Sequence, residues 1–90
     1  MQVELFATLR WMTRTSVVSD MRAATVGELV GELAQRFGTD FREALLDAEG
    51  RLNPGVIMLV NGQNVHFLQQ LDTPLSDQDT VAIFPPLGGG

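Results

Sequence analysis

The chain reads as an α+β roll, a mixed sheet of four to five strands covered by one main helix. Three observations predict it. Residues 2–9 alternate in polarity with period two, the mark of a half-buried strand. Val26–Phe37 carries apolar side chains at helical spacing along one face. Two further apolar runs, residues 56–60 and Thr80–Phe84, follow that helix and are bounded by turn residues. A hairpin, a helix crossing the sheet and later strands returning beside the first make a roll.

The elements can be justified in order. Val3, Leu5, Ala7 and Leu9 fall on one side of the first strand, with Gln2, Glu4 and Thr8 on the other. Phe6 breaks the rule by standing on the polar side. Residues 10–14 show no pattern and are expected to turn. Residues 15–21 are rich in β-branched side chains and are expected to return as a second strand. Thr25-Val26-Gly27-Glu28 is a capping box, with Thr25 as N-cap and Glu28 reaching back to its amide. Val26, Leu29, Val30, Leu33, Ala34 and Phe37 then line one helical face, and Gly38 stands where a helix end tolerates positive φ.

Residues 41–46 suit one more short helical turn, and 47–50 and 53–55 are turn chemistry. The continuous apolar run 56–60 predicts a strand buried on at least part of both faces, with Val56, Met58 and Val60 as one buried set. Asn61-Gly62 predicts a tight turn, and 63–67 a short edge strand. Residues 71–75 should be irregular around Pro74, and 76–79 should turn. In Thr80–Phe84, Val81 and Ile83 point inward while Ala82 and Phe84 point outward. Pro85-Pro86 ends the strand, because proline has no N–H for a ladder.

Composition excludes several functions. Ninety residues fit one domain, expected at 1–86, followed by a flexible glycine-rich tail at 87–90. With no Cys there is no disulfide framework, thiolate metal site or cysteine nucleophile. A net charge of -5, with 6 Arg against 11 acidic residues, lacks the footprint of a nucleic-acid binder and disfavours anionic membranes. Lys is absent, which leaves the N-terminus as the one primary amine. No run is long enough to span a bilayer. The opening residues carry no export signal, so a cytoplasmic location is expected. His66 lacks a nucleophile pattern around it and is read as structural. No metal, nucleotide or pterin site is visible, since phosphate-binding glycines lie between a strand and a helix and these glycines follow the last strand.

Several of these pieces together resemble the ubiquitin-like sulfur carriers, the family of the molybdopterin-synthase small subunit and the thiamine-pathway carrier. Phe6-Ala7-Thr8-Leu9-Arg10, Thr25-Val26-Gly27-Glu28-Leu29 and Val60-Asn61-Gly62 match in kind and place. The most specific match is the stretch from Leu75 through Phe84-Pro85-Pro86 to the closing glycines. Two departures stand out. Gln78 occupies a place where the family usually has Gly, and three glycines close the chain where the family has two. The resemblance implies a β-grasp fold and no complete active site within the chain.

It also implies a chemistry. Gly90 would be the carrier residue, with its carboxylate adenylated by an E1-like enzyme that uses ATP, then converted to a thiocarboxylate that donates sulfur. No cofactor need be bound by the carrier itself. Gly88 and Gly89 would make a tail narrow enough for a partner's active site, and Pro85 and Pro86 would stiffen its base. The five residues 86–90 reach at most about 16–18 Å, at roughly 3.3–3.6 Å per residue.

In a β-grasp sheet the first and last strands are neighbours, so Phe6 and Phe84 would form an exposed aromatic pair on the face away from the helix. Leu59 would join them. Such a patch marks a partner-binding surface. The expected partners are the E1-like adenylating enzyme and the large subunit of molybdopterin synthase or another sulfur acceptor. The molybdopterin-synthase role is the first expectation. The same chemistry could instead serve cysteine biosynthesis or tRNA thiolation. A protein modifier joined to lysines through Gly90, and an interaction domain with an inert tail, are the readings from other classes.

Overall fold

Residues 1–86 are described by a computed structural model. The elements run β1 (Gln2–Leu5), α1 (Thr8–Thr13), β2 (Val17–Val18), α2 (Val26–Phe37), α3 (Thr39–Leu45), β3 (Ile57–Val60), β4 (Gln63–Asn64) and β5 (Thr80–Phe84). Single 3₁₀ turns lie at Val65–Phe67 and Gln70–Asp72. The strands form one 5-stranded sheet in the order β2-β1-β5-β3-β4. β1 and β5 pair in parallel, and the other pairs are antiparallel. Parallel neighbours need a long crossover; everything between β1 and β5 supplies it. This is the β-grasp order that the sequence predicts.

The core lies between α2 and one face of the sheet. Val26, Leu29, Val30 and Leu33 of α2 meet Val3, Leu5, Met58, Val81 and Ile83, all fully buried. The cap is as read from the sequence in part. Thr25 Oγ1 accepts from Glu28 N–H at 3.2 Å, but the Glu28 carboxylate accepts from the amide of Ala24, at 3.4 Å, one residue earlier than expected. Gly38, at φ 102°, closes α2 by donating its N–H to Ala34 C=O at 2.8 Å. The chain then turns directly into α3, which buries Phe41 and Leu45.

Four expectations need correction. First, β1 ends at Leu5 and does not continue to Leu9. Ala7, at φ 53°, swings the chain out of the sheet, and Leu9 reaches the core from α1. Second, the expected turn at 10–14 is therefore the body of that helix, closed by Arg14 in the left-handed region at φ 60°. Third, the second strand shrinks to Val17–Val18, and Thr15, expected within it, turns its hydroxyl onto the backbone of Val17. Fourth, the outer face of β3 is only partly covered, with Leu59 half-buried. Val56, Met58 and Val60 are buried as expected, whereas Ile57 is 42% exposed. Helices cover a single side of this sheet, so the alternate residues of a fully apolar strand face outward.

Asn61-Gly62 makes the expected tight turn, with φ 50° and 85°, between Val60 and its partner Gln63. The edge strand that follows is only β4, and Val65–Phe67 coils into a 3₁₀ turn. Gln78 has no positive φ, so the turn before β5 does not require glycine there. The expected tail at 87–90, with Gly88 and Gly89 expected to present it and Gly90 expected to carry the sulfur, lies outside the described residues.

Candidate functional site

The outward face of the sheet and the root of the tail are built by the same strand. The parallel register sets Leu5 opposite Ile83. The next residues, Phe6 and Phe84, then meet on the outer face. Their rings stack at 4.2 Å between centroids and 11° between planes. Each ring shields the other, so both are half-buried and not fully exposed. Arg10 Nε donates to Leu5 C=O at 2.8 Å, which holds its guanidinium over the Phe6 ring at 5.0 Å. Contacts of this kind favour a fixed cation above an aromatic face.

Two rows of side chains cross the outer face. The row nearest the tail is Phe6, Phe84 and Ile57, since Ile57 is the register partner of Phe84. The next row is Val17, Glu4, Ala82, Leu59 and Asn64, each opposite the one before. Leu59 is therefore one row away from the phenylalanines and is half-buried. The sequence reading missed three members. Ile57 was hidden in an entirely apolar strand; counting two residues back from Leu59 finds it. Val17, 42% exposed, needed the true register of the hairpin. Arg10 needed α1.

The electrostatics are sparse. Arg36 is held by Asp20 through two contacts of 2.8 and 3.2 Å, and Arg51 lies 3.8 Å from both Asp47 and Glu49. Among the described residues, no carboxylate is within ion-pair distance of Arg10. It is thus a cation on an apolar face of an acidic chain, which suits a partner with a carboxylate beside an apolar surface. His66 Nε2 lies 3.0 Å from Val56 C=O. A carbonyl can only accept, so that nitrogen carries the proton. Asp79 accepts from Ser76 N–H and from Asn61 Nδ2, each at 2.8 Å; these bonds hold its carboxyl below its ordinary value.

Past Phe84 the chain leaves the ladder. Pro85 is buried and Pro86 half-buried, so the root of the tail is seated on the domain. Among the described residues, no group of 3 His, Asp or Glu side chains could hold a metal ion, and no helix is long and apolar enough to cross a membrane. What the arrangement offers is a largely apolar face that carries one cation, Arg10, and one carboxylate, Glu4, with the strand end Pro85-Pro86 seated beside it. That geometry suits docking and presentation.

Comparisons with known proteins agree with this architecture. The model of the ThiS family matches residues 3–90. An Archaeoglobus fulgidus protein described as a candidate sulfur carrier is 37% identical over 71 residues, 79% of this chain and 80% of that protein. Small archaeal modifier protein 3 of Haloferax volcanii is 37% identical over 67 residues, 74% of this chain and 71% of that one. Among solved structures, a chain of the Amycolatopsis orientalis BexX/CysO complex superposes with a TM-score of 0.82 at 29% identity, covering 99% of this chain and 98% of that one. With a β-grasp sheet and a family match that runs from residue 3 through the closing glycines, the chain belongs to the ThiS family of ubiquitin-like proteins.

Proposed function

We propose that this chain is a sulfur carrier whose Gly90 carboxylate is activated and then loaded with sulfur. The observation that carries the reading is that β5 serves both requirements at once. Its outward side chains build the docking face, and its end, Pro85-Pro86, is the root from which the glycines extend. A partner that grips Phe6, Phe84 and Ile57 would find Gly90 within the reach of a short tail.

The chemistry needs nothing else from the chain. A carboxylate is a poor electrophile until its oxygen is made into a leaving group. Attack of the Gly90 carboxylate on the α-phosphorus of ATP gives the acyl adenylate and releases pyrophosphate. Hydrosulfide then forms the C–S bond as the bond from carbon to the AMP oxygen breaks, and a proton is released. The thiocarboxylate that results is anionic near neutral pH, and its sulfur is a nucleophile. The adenylating enzyme, of the ubiquitin-activating type, supplies the nucleotide site. A small tail without Cβ atoms fits a narrow channel. Because the step consumes ATP, we place it in the cytoplasm as part of the same proposal.

For the acceptor, the Phe6-to-Arg10 opening and the Phe84-Pro85-Pro86 ending favour the large subunit of molybdopterin synthase. A second reading is favoured by the small archaeal modifier relative: attachment of Gly90 to lysines of other proteins. Both begin with the same adenylate. The deciding experiment is intact mass after incubation with ATP, the adenylating enzyme and sulfide. The expected gain is that of one oxygen replaced by sulfur, localised to Gly90. An unchanged mass under those conditions overturns the carrier reading. Remnants of this tail on cellular lysines would support the modifier. Loss of molybdoenzyme activity on gene deletion, with cysteine and thiolated tRNA unchanged, would support the named acceptor.

A further inference from the structure

Gly55 and Pro86 occupy one space. The antiparallel register Ile57 opposite Phe84 brings residues 55–56 alongside 85–86 just past the end of the ladder. A Cβ built on Gly55 would stand 3.0 Å from Pro86 Cβ and 3.4 Å from Pro86 Cγ, with Asn53 Oδ1 next at 3.5 Å. Carbon atoms are most comfortable at about 3.5–4.0 Å. The backbone does not demand glycine there, because Gly55 is absent from the positive-φ positions. The close approach of Pro86 is the feature that a side chain would oppose.

The seat itself is held from several sides. Gly55 N–H donates to Asn53 Oδ1 at 2.9 Å, and Val56 N–H to Asn53 C=O at 3.0 Å. Val56 is fully buried, and its carbonyl receives the His66 contact at 3.0 Å. Pro85 is buried beside it. A side chain on Gly55 would therefore have one neighbour able to yield, the half-buried ring of Pro86.

We infer that Gly55 is a positioning residue. Its missing side chain leaves the seat on which Pro86 lies, and that seat fixes Pro86 as the root from which the tail begins. The inference rests on the carrier reading for its consequence, though not for its geometry. A shift at Pro86 moves the origin from which the tail reaches, up to about 13–14 Å at roughly 3.3–3.6 Å per residue. Misplacement of a reacting group by ~1 Å can lower a rate by as much as about 10²-fold.

The test separates geometry from chemistry. The chain has one tryptophan, Trp11, and no cysteine, so an acceptor dye on Leu87→Cys, next to Pro86, reports a shift of the tail's root by energy transfer from Trp11. Gly55→Ala should shift the transfer efficiency slightly and Gly55→Val more, with unchanged circular dichroism. In a Pro86→Gly background, which removes the opposing Cβ and Cγ, Gly55→Val should cause no further shift. Equal shifts in both backgrounds, or none in either folded variant, overturn the inference.

Unlabelled full-length chain is then assayed by ATP–pyrophosphate exchange with the adenylating enzyme. Gly55→Val should lower kcat by about tenfold or more while KM, set by the docking face, stays within about twofold. A displaced root with unchanged kcat overturns the functional half. If the parent chain supports no exchange at all, the carrier reading fails, and the energy-transfer result still decides the geometry.

Discussion

The stack of Phe6 on Phe84 joins the first strand of the chain to the last, at a centroid separation of 4.2 Å. It follows from the parallel register, since each phenylalanine is the next residue after a paired one, Leu5 or Ile83. A stacked pair contributes about 0.5–1.5 kcal/mol beyond the area it buries. A double-mutant cycle with Phe6→Ala and Phe84→Ala should return a coupling energy in that range from urea unfolding. The single variants should keep their circular dichroism, because the core lies on the other face. A coupling near zero would mean that the rings merely coexist.

How much of this was legible in the sequence depends on whether a residue's surroundings were local. The capping box at Thr25 and Glu28, the α2 stripe and the Asn61-Gly62 turn are short-range chemistry, and all could be read. Phe6 could be placed on the outer side because alternation through Val3 and Leu5 assigns faces. α1 could not be read. It has one buried residue, Leu9, so no apolar stripe repeats, and its start depends on Ala7 adopting a φ that alanine disfavours. Ile57 was lost for the opposite reason. An entirely apolar strand carries no alternation from which to see that one of its faces is open. Gly55 was read as turn chemistry, and nothing in its neighbours announces Pro86, 31 positions later, as the reason for it.

Ala7 is the residue whose backbone works hardest. At φ 53° and ψ -133° it lies in a region that favours glycine, and such a conformation costs on the order of 1–3 kcal/mol. Ala7→Gly should relieve most of that. Greater freedom of glycine in the unfolded chain offsets about 0.5–1 kcal/mol. The net expectation is a stabilisation of about 1 kcal/mol, or a rise in Tm of roughly 4–8 °C for a domain of this size. Calorimetry checks it, and a fall in Tm would show that the strain is not there.

The open edge of the sheet at β2 is closed by a side chain. Leu5 N–H donates to Ser16 C=O at 2.9 Å, so alternation turns the N–H and C=O of Val17 away from β1. Thr15 Oγ1 takes both, donating to Val17 C=O at 3.0 Å and accepting from Val17 N–H at 3.4 Å. An exposed edge is otherwise a template for pairing with another chain. Thr15→Val keeps the shape and removes both bonds. It should self-associate in sedimentation velocity at concentrations where the parent chain stays monomeric. Identical sedimentation of the two would assign the protection to the shortness of the strand.

Asp79 gives the fold an acid-sensitive clasp. Its carboxylate accepts from Ser76 N–H and Asn61 Nδ2, both at 2.8 Å, while Asn61 Oδ1 accepts from Thr80 N–H at 2.9 Å. The β3–β4 turn is thereby tied to the start of β5. These bonds favour the charged form, so the folded pKa lies below the ordinary one. An unfolded Asp titrates at about pH 3.9. Between the folded and unfolded pKa the unfolded chain binds more protons, so stability rises with pH through that window. The contribution is complete above the unfolded pKa and is lost as pH falls through the folded one. Asp20, lowered by its hydrogen bonds to Arg36, acts with the same sign. Asp79→Asn should therefore lower the urea midpoint at pH 7 and flatten its fall between roughly pH 5 and 2, with Asp20→Asn removing a further part of the slope. An undiminished acid slope in the double variant would place the titration on other carboxylates.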